Sequence, residues 1–336
     1  MAGEAVLLAT LGERPGVVTA ALDLLTNTVR KVGWFYTSDP DVEAASEVLL
    51  QHIPNHYSGV EIFGPWRLES KDLRGADDVV RLFVRMGQVF CIVRDMRRPL
   101  YLCIAGGRKA MTAAMAIAAQ LFGADRLFHI WLDPDFELEY GDRLNGRSLY
   151  NIDDDERKRY LHPPKEQIAL VELPFIATVT MLPQITAALK GSRAEEQRVK
   201  IKDVLCRTGL LSSDGEPTDL GKQLLKVVEQ VEALPMPCVG EPEVKLSEKH
   251  RRRQGLIQEK MVDPLKRSCP YIKVIRQIEY ETGKRRVWLQ KGKSVSQIRV
   301  YEELRPNWGF GLLLETTAET EGQRQALMRL IEGVLG

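Results

Sequence analysis

The chain predicts an α/β fold, a doubly wound parallel sheet followed by a helical module and a small α+β unit. Three observations carry this expectation. Strand-like and helix-like stretches alternate from Glu4 to Asp133, a glycine pair follows one of the strands, and β-branched runs replace the helical period in the last third of the chain.

Glu4 to Leu11 reads as an apolar strand, Val17 to Val29 as a helix, Gly33 to Ser38 as a strand and Val42 to His52 as a helix. Gly59 to Arg67 is the next strand and Ala76 to Phe90 the next helix. Leu100 to Ala105, Ala110 to Leu121 and Asp125 to Asp133 then give strand, helix and strand. Such alternation implies βαβ units with helices on both faces of the sheet. In open sheets of this kind the ligand crevice lies outside the carboxyl ends of the strands. Thr10 to Pro15, Thr37 with Ser38, and Gly106 to Lys109 each follow a strand, so together they form the expected site.

The richest of these segments is Pro99 to Phe122, PLYLCIAGGRKAMTAAMAIAAQLF. Gly106 and Gly107 let backbone approach a ligand closely, and a helix start offers unpaired N–H groups and a positive dipole end. Arg108 and Lys109 add formal charge where an anion would sit. The segment outlines a phosphate-binding turn. Leu11 to Gly16 does not supply GxGxxG, and Thr37 and Ser38 stand where a nicotinamide-binding sheet carries an acidic residue for the ribose.

An acidic, irregular passage from Phe136 to Asp155 and a segment ending in Val171 to Phe175 close this unit. Met181 to Lys190 reads as a connecting helix, with a break at Gly191 and Ser192. From Arg193 to Ala233 the pattern is helical around GLLSSDGEPTDLG, Gly209 to Gly221. A β-ribbon with Asp214 and Gly215 at its tip, then a helix begun at Thr218 or Asp219, predicts a winged helix. Pro235, Pro237, Gly240 and Pro242 form a linker. A basic helix over Glu248 to Lys266 is followed by strands at Lys273 to Tyr280, Arg286 to Gln290, Ile298 to Leu304 and Phe310 to Thr317, with a turn at Gly283. Gln323 to Leu335 is a closing helix. The expected units are residues 1–180, 193–235 and 244–336.

The net charge of +1 over 336 residues hides an asymmetry. Val244 to Phe310 holds 17 Lys and Arg against 7 Asp and Glu, leaving 30 against 39 for the rest of the chain. A basic region in an otherwise acidic protein points to a polyanion partner. The segment Arg193 to Ala233 has seven cations against eight carboxylates, so duplex DNA is an unexpected partner for it. Cys91, Cys103, Cys206, Cys238 and Cys269 are odd in number and form no CxxC, which argues against a disulfide framework or a zinc site. With no signal segment and no apolar run of membrane-spanning length, a cytoplasmic location without membrane contact is expected.

Ala9 to Pro15 (ATLGERP) and Gly106 to Lys109 (GGRK) resemble the two ligand turns of the CRISPR-associated Rossmann fold, or CARF, sensor domain. The resemblance implies a homodimer that binds cyclic oligoadenylate across its two-fold axis, with cyclic tetra-adenylate as the activator and no cofactor. It implies binding by Thr10, Gly12, Thr37, Ser38, Gly106, Gly107, Arg108 and Lys109. The order of sensor, winged helix and small basic α+β unit resembles the CRISPR-associated mRNA interferase family, whose effector is of the RelE toxin type. The implied activity is ribonuclease action on mRNA at the ribosome, in type III CRISPR antiviral defence. It proceeds without metal, by attack of the 2′-hydroxyl on the adjacent phosphate. Arg, Lys and Tyr can supply the cations, acid and base for that reaction. Arg286 and Arg305 are the expected phosphate ligands, Arg276 and Arg299 assist, and Tyr280 or Lys273 is the acid or base. Strand alternation sets Lys273 and Arg276 on opposite faces unless a bulge intervenes.

Other readings are a CARF winged-helix transcription regulator and a ring nuclease in which Lys109 or Thr10 assists hydrolysis of the activator. Arg157 to His162 (RKRYLH) has the Rx4H spacing of HEPN ribonucleases but too little flanking helix for such a bundle. Asp263-Pro264 and Glu281 to Lys284 are poor substitutes for a PD-(D/E)xK carboxylate site.

Overall fold

A computed structural model describes residues 4–140, 145–190, 202, 204–238, 241–247, 251–281, 287–305 and 308–335. Its first sheet is built on β1 (Ala5–Thr10), whose six residues are all buried, as a central strand of a parallel sheet requires. β1 pairs in parallel with β2 (Val29–Tyr36) on one side and β5 (Leu100–Cys103) on the other. β6 (Arg126–Leu132) continues from β5 in parallel, and β7 (Ile168–Glu172) closes that edge antiparallel. On the far side of β2 lie two short strands, β3 (Glu61–Ile62) and β4 (Trp66–Arg67). The order β3-β2-β1-β5-β6-β7 reverses direction between β1 and β5, which makes that junction the switch point of the sheet.

Helices cover both faces, as expected. α1 (Gly16–Leu24) and α2 (Pro40–His56) pack on the face carrying Leu7, Ala9, Val32 and Trp34. α3 (Ala76–Asp95) and α4 (Lys109–Phe122) pack on the face carrying Val6, Leu8, Phe35 and Leu102. Boundaries moved where local chemistry outweighs hydrophobic run length. The helix expected to reach Val29 stops at Leu24, because Thr26 and Thr28 hydroxyls bond the carbonyls of Asp23 and Leu25 and the chain turns into β2. The strand expected over Gly59 to Arg67 is two pieces interrupted at Phe63 to Pro65. The acidic passage contains α5 (Pro134–Tyr140), α6 (Gly146–Tyr150) and the start of α7 (Asp154–Leu161). Asn145 and Asp153 cap α6 and α7 by accepting from Ser148 N and Glu156 N, which is why polar residues sit there.

α8 (Leu182–Leu189) leads to a small cluster in which Ala188 and Leu189 pack with Leu205 and Leu211. The expected ribbon is one bridge, Leu211 with Pro217, around a turn where Ser212 N donates to Glu216 O. α9 (Asp219–Glu232) follows, its Thr218 side chain accepting from Gly221 N. Most of the first expected helix, residues 191–201 and 203, lies outside the described residues.

The second sheet runs β10-β11-β12-β9-β8. Its strands are β8 (Glu243–Lys245), β9 (Ile272–Ile278), β10 (Val287–Lys291), β11 (Gln297–Arg305) and β12 (Trp308–Thr316). All neighbours are antiparallel except β8 with β9. β8 corrects the expected linker: three residues past Pro242 add an edge strand, too short to show a period in the sequence. α10 (Arg251–Ile257), a π-turn over Gln258–Val262, and α11 (Asp263–Ser268) replace the single basic helix. α12 (Glu321–Leu335) closes the chain. The predicted turn at Gly283 lies outside the described residues.

One apolar core runs from α3 and α4 through Val227, Val228 and Val231 of α9 into Ile257, Ile275, Leu312 and Leu327. Gly87 makes the approach of α9 possible, since a Cβ there would lie 2.7 Å from both Phe122 and Val231. Near the middle of α3, the Arg85 guanidinium donates to Leu330 O (2.8 Å) and Arg329 O (3.2 Å) of α12, lying where a Gly333 side chain would be. Gly333→Val drives this guanidinium out of its seat. Urea unfolding is expected to show a loss of about 1–3 kcal/mol, and wild-type stability would refute the packing described.

Candidate functional site

The switch point opens into a cleft of about 540 Å³ lined by Gly12, Gly106, Gly107, Arg14, His129 and Trp131, among others. The two predicted turns meet at its floor. A Cβ on Gly12 would sit 2.9 Å from Gly107 N, and one on Gly106 would sit 2.5 Å from Thr10 O. Gly107 has φ +83°, a left-handed conformation that glycine adopts without the Cβ penalty. Only glycines allow the β1 and β5 turns to close this tightly.

Gly16 and Val17, the first residues of α1, line the same cleft, and α4 begins two residues beyond Gly107. Pro15 and Arg108 occupy the N-cap positions of these helices, and neither gives a side-chain cap. Helices α2, α6, α7 and α9 each have one, from Asp39, Asn145, Asp153 and Thr218, while α3 and α8, away from the cleft lining, also start without one. The two helices that start at the switch point therefore keep backbone donors without a side-chain acceptor, beside a positive dipole end.

The other expected ligands divide by what their side chains already do. Thr10 is fully buried and its hydroxyl donates to Gly106 O, so it ties the two turns together. Ser38 is buried and donates to Glu69 O at 2.8 Å. The Thr37 hydroxyl is buried and has no hydrogen-bond partner among the described residues. Arg108 turns toward Asp39 (3.3 Å) and Asp72 (3.9 Å), whereas Lys109 is exposed at the first position of α4. Of the predicted residues, Gly12, Gly106 and Gly107 line the cleft itself.

Sequence reasoning missed the opposite wall. Glu137 pairs with Arg14 across the mouth, and His129, Trp131, Tyr160 and Pro163 complete the lining. His129 and Trp131 alternate with buried Phe128 and Ile130 on β6, so a period-2 reading of that strand would have exposed them. Behind this wall Asp23, His52, His56, Tyr57 and His162 gather. Burial pushes His52 down to about 4, and the neighbouring His162 and His56 act in the same direction. His56 is also lowered, by burial first and then by His162. Burial and then Asp23 raise Tyr57.

The Rx4H spacing does not make a HEPN pair here. Arg157 is spent on the carbonyls of Leu149 (2.7 Å), Tyr150 (3.3 Å) and Ile152 (2.9 Å), which fastens α7 to α6.

On the second sheet, a groove of about 770 Å³ is lined by Tyr280, Glu281, Arg299, Gly309, Gly311 and Ser247, among others. Register places Gln290, Arg299, Leu313 and Arg276 in one cross-strand row, and Trp288, Tyr301, Gly311 and Ile278 in the next but one. Arg276 and Arg299 thus share a face. Each has a carboxylate, Glu315 at 3.7 Å and Glu281 at 3.2 Å. Tyr280 packs edge-on against Trp288, which stacks on Tyr301. Burial, then the Glu303 carboxylate, raises the Tyr280 hydroxyl above its ordinary value. The expected alternation fails here: the register with β12 shifts between Val274 and Ile272, so β9 bulges at Lys273, Ile272 and Ile275 both enter the core, and Lys273 and Arg276 are both exposed. Arg305 is exposed at the end of β11, beside a register shift, and outside the groove lining. Arg286 lies outside the described residues.

The architecture is that of the doubly wound, Rossmann-like α/β class, with two glycine turns and two helix starts at its switch point. The chain belongs to the family described as CRISPR-associated protein NE0113, whose pattern it matches over residues 14–204. No curated protein matches it. Among solved structures, Enterococcus italicus Csm6 bound to cyclic hexa-2′-fluoro-hexa-dAMP is similar at 10% identity and a TM-score of 0.33, covering 79% of this chain. The present chain spans 60% of that Csm6 chain. Among the described residues no helix is long and apolar enough to cross a membrane.

Proposed function

We propose that the first sheet is a CARF-type sensor for cyclic oligoadenylate and that the second sheet is a ribonuclease which the sensor controls. The observation that carries the sensor reading is the pair of helices, α1 and α4, that start uncapped around the Gly12, Gly106 and Gly107 floor. Several phosphates need several N–H groups and cations, and a two-fold homodimer would double each set. Lys109 supplies the exposed charge, while Trp131 offers an aromatic face to a base. Membership of a CRISPR-associated family supports a nucleotide signal of this kind.

The ribonuclease reading rests on the groove lined by Arg299 and Tyr280, with Arg276 in the same cross-strand row as Arg299. In metal-independent cleavage the 2′-oxygen bonds to phosphorus while the 5′-oxygen leaves. Arg299 stabilises the phosphorane charge and Tyr280, held protonated, donates to the leaving oxygen. Glu281, in the same groove, can accept the proton of the attacking hydroxyl. The substrate expected for this effector is mRNA on the ribosome.

Calorimetric titration with cyclic tetra-adenylate tests the sensor. Lys109→Ala is expected to weaken binding roughly 10- to 100-fold, the range of a charge-assisted hydrogen bond, with an unchanged circular dichroism spectrum. No binding by the wild-type chain, or unchanged affinity in the variant, counts against the assignment. Translating ribosomes and free RNA, each with and without the nucleotide, then separate ribosome-dependent cleavage from general ribonuclease action.

A further inference from the structure

Three histidines meet behind the cleft wall although they come from distant parts of the chain. His52 and His56 lie one helical turn apart on α2, and His162 directly follows α7. Their ligand nitrogens all lie within 4.8 Å of one another. His52 Nε2 and His162 Nε2 approach to 2.8 Å. The other ring nitrogen of His162, Nδ1, lies 2.7 Å from Asp23 Oδ2, and Tyr57 OH donates to Asp23 Oδ1 at 2.7 Å and to Thr19 O at 3.1 Å.

This is a carboxylate–histidine arrangement with a further anchor behind it. A carboxylate on Nδ1 fixes the tautomer, so that His162 Nε2 carries a lone pair aimed at His52. Without an ion, His52 must fill that position with a donated proton. With one, the His52 proton moves from Nε2 to Nδ1 and both Nε2 atoms bind the ion. At Zn–N distances of about 2.0–2.1 Å, tetrahedral geometry sets the two nitrogens about 3.3 Å apart, a small opening from the present contact. His56 stacks on His162 with ring centroids 4.1 Å apart. It is exposed, so its ring is free to swing about χ1 and χ2 and turn a nitrogen inward.

We infer that His52, His56 and His162 form a binding site for one divalent transition-metal ion of the zinc class, with Asp23 orienting His162. Three imidazoles without a thiolate suit Zn2+, Co2+ or Ni2+ over Mg2+ or Ca2+. The ion leaves one coordination position for water. The site links α1, α2 and the segment after α7. Tyr160 and Pro163, on either side of that link, line the nucleotide cleft, so the metal stiffens one cleft wall.

The test uses the full chain without an affinity tag, dialysed against a chelator and titrated with Co2+ and then Zn2+. One metal per chain, visible bands of four-coordinate Co2+ and a higher melting temperature with Zn2+ are expected. His52→Ala and His162→Ala should abolish binding. Because both replace packed side chains, two gentler variants accompany them. His56→Ala removes an exposed ligand, and Asp23→Asn should weaken affinity roughly 10- to 100-fold, the usual effect of losing such a carboxylate. Absence of the Co2+ bands in the wild-type chain overturns the site. So does metal retained at full affinity by His56→Ala and Asp23→Asn, which would place it elsewhere.

Discussion

Gly106→Val is expected to abolish nucleotide binding and to cost about 1–3 kcal/mol of stability through overpacking. The first added carbon would stand 2.5 Å from Thr10 O, 3.1 Å from Val17 Cγ2 and 3.4 Å from Gly12 N. The first contact is with backbone and has no rotamer to escape into. Moving the turn also disturbs the carbonyl of Gly106, which accepts from the hydroxyls of both Thr10 and Thr112. The β1 and β5 turns would separate, and with them the relation between the starts of α1 and α4. Urea unfolding reads the first effect and nucleotide titration the second, with an affinity loss of more than roughly 100-fold if about 3 kcal/mol of oriented contacts go. Gly75→Ala is the control, since nothing lies within 4 Å of a Cβ there, and it should stay within about 0.5 kcal/mol. Wild-type affinity in Gly106→Val would remove the switch-point cleft from the function.

The layout of the sensor was legible because its signals are local. Six consecutive small and apolar residues make β1, and the GGRK turn sits between a strand and a helix that the Ala/Met pattern announces. Chain order also placed the two glycine turns at adjacent strand ends. What could not be read was the use of each polar atom. Thr10 and Ser38 have the same hydroxyl chemistry as a phosphate ligand, yet both serve the backbone beside them. Arg108 adjoins Lys109 but is drawn aside by Asp39 and Asp72, from two separate loops. The histidine cluster shows the limit most clearly. His52 and His56 have a recognisable helical spacing, but the third member stands more than a hundred residues away, brought in by α7. Only the fold reveals that Asp23 lies behind it.

Arg299→Ala is expected to reduce RNA cleavage about 10²- to 10³-fold, the effect of deleting one group that stabilises transition-state charge. Arg299 occupies the middle of the groove beside Glu281, so the loss should fall on kcat and leave cyclic nucleotide binding unchanged. Tyr280→Phe should fall within the same range, because the Tyr280 hydroxyl lines the groove with Arg299 and is the donor proposed for the leaving oxygen. Lys273 provides the contrast, at the bulge near the start of β9 and outside the groove lining. Lys273→Ala is therefore expected to retain cleavage within a few fold, apart from a general weakening of RNA affinity at higher salt. The reverse pattern, with Lys273 essential and Arg299 dispensable, would move the chemistry to the bulge at the start of β9. Dependence on Arg305 alone would move it to the end of β11. Measuring kcat and KM separately for these three variants and Arg305→Ala, with and without nucleotide, distinguishes a damaged groove from a sensor that no longer signals.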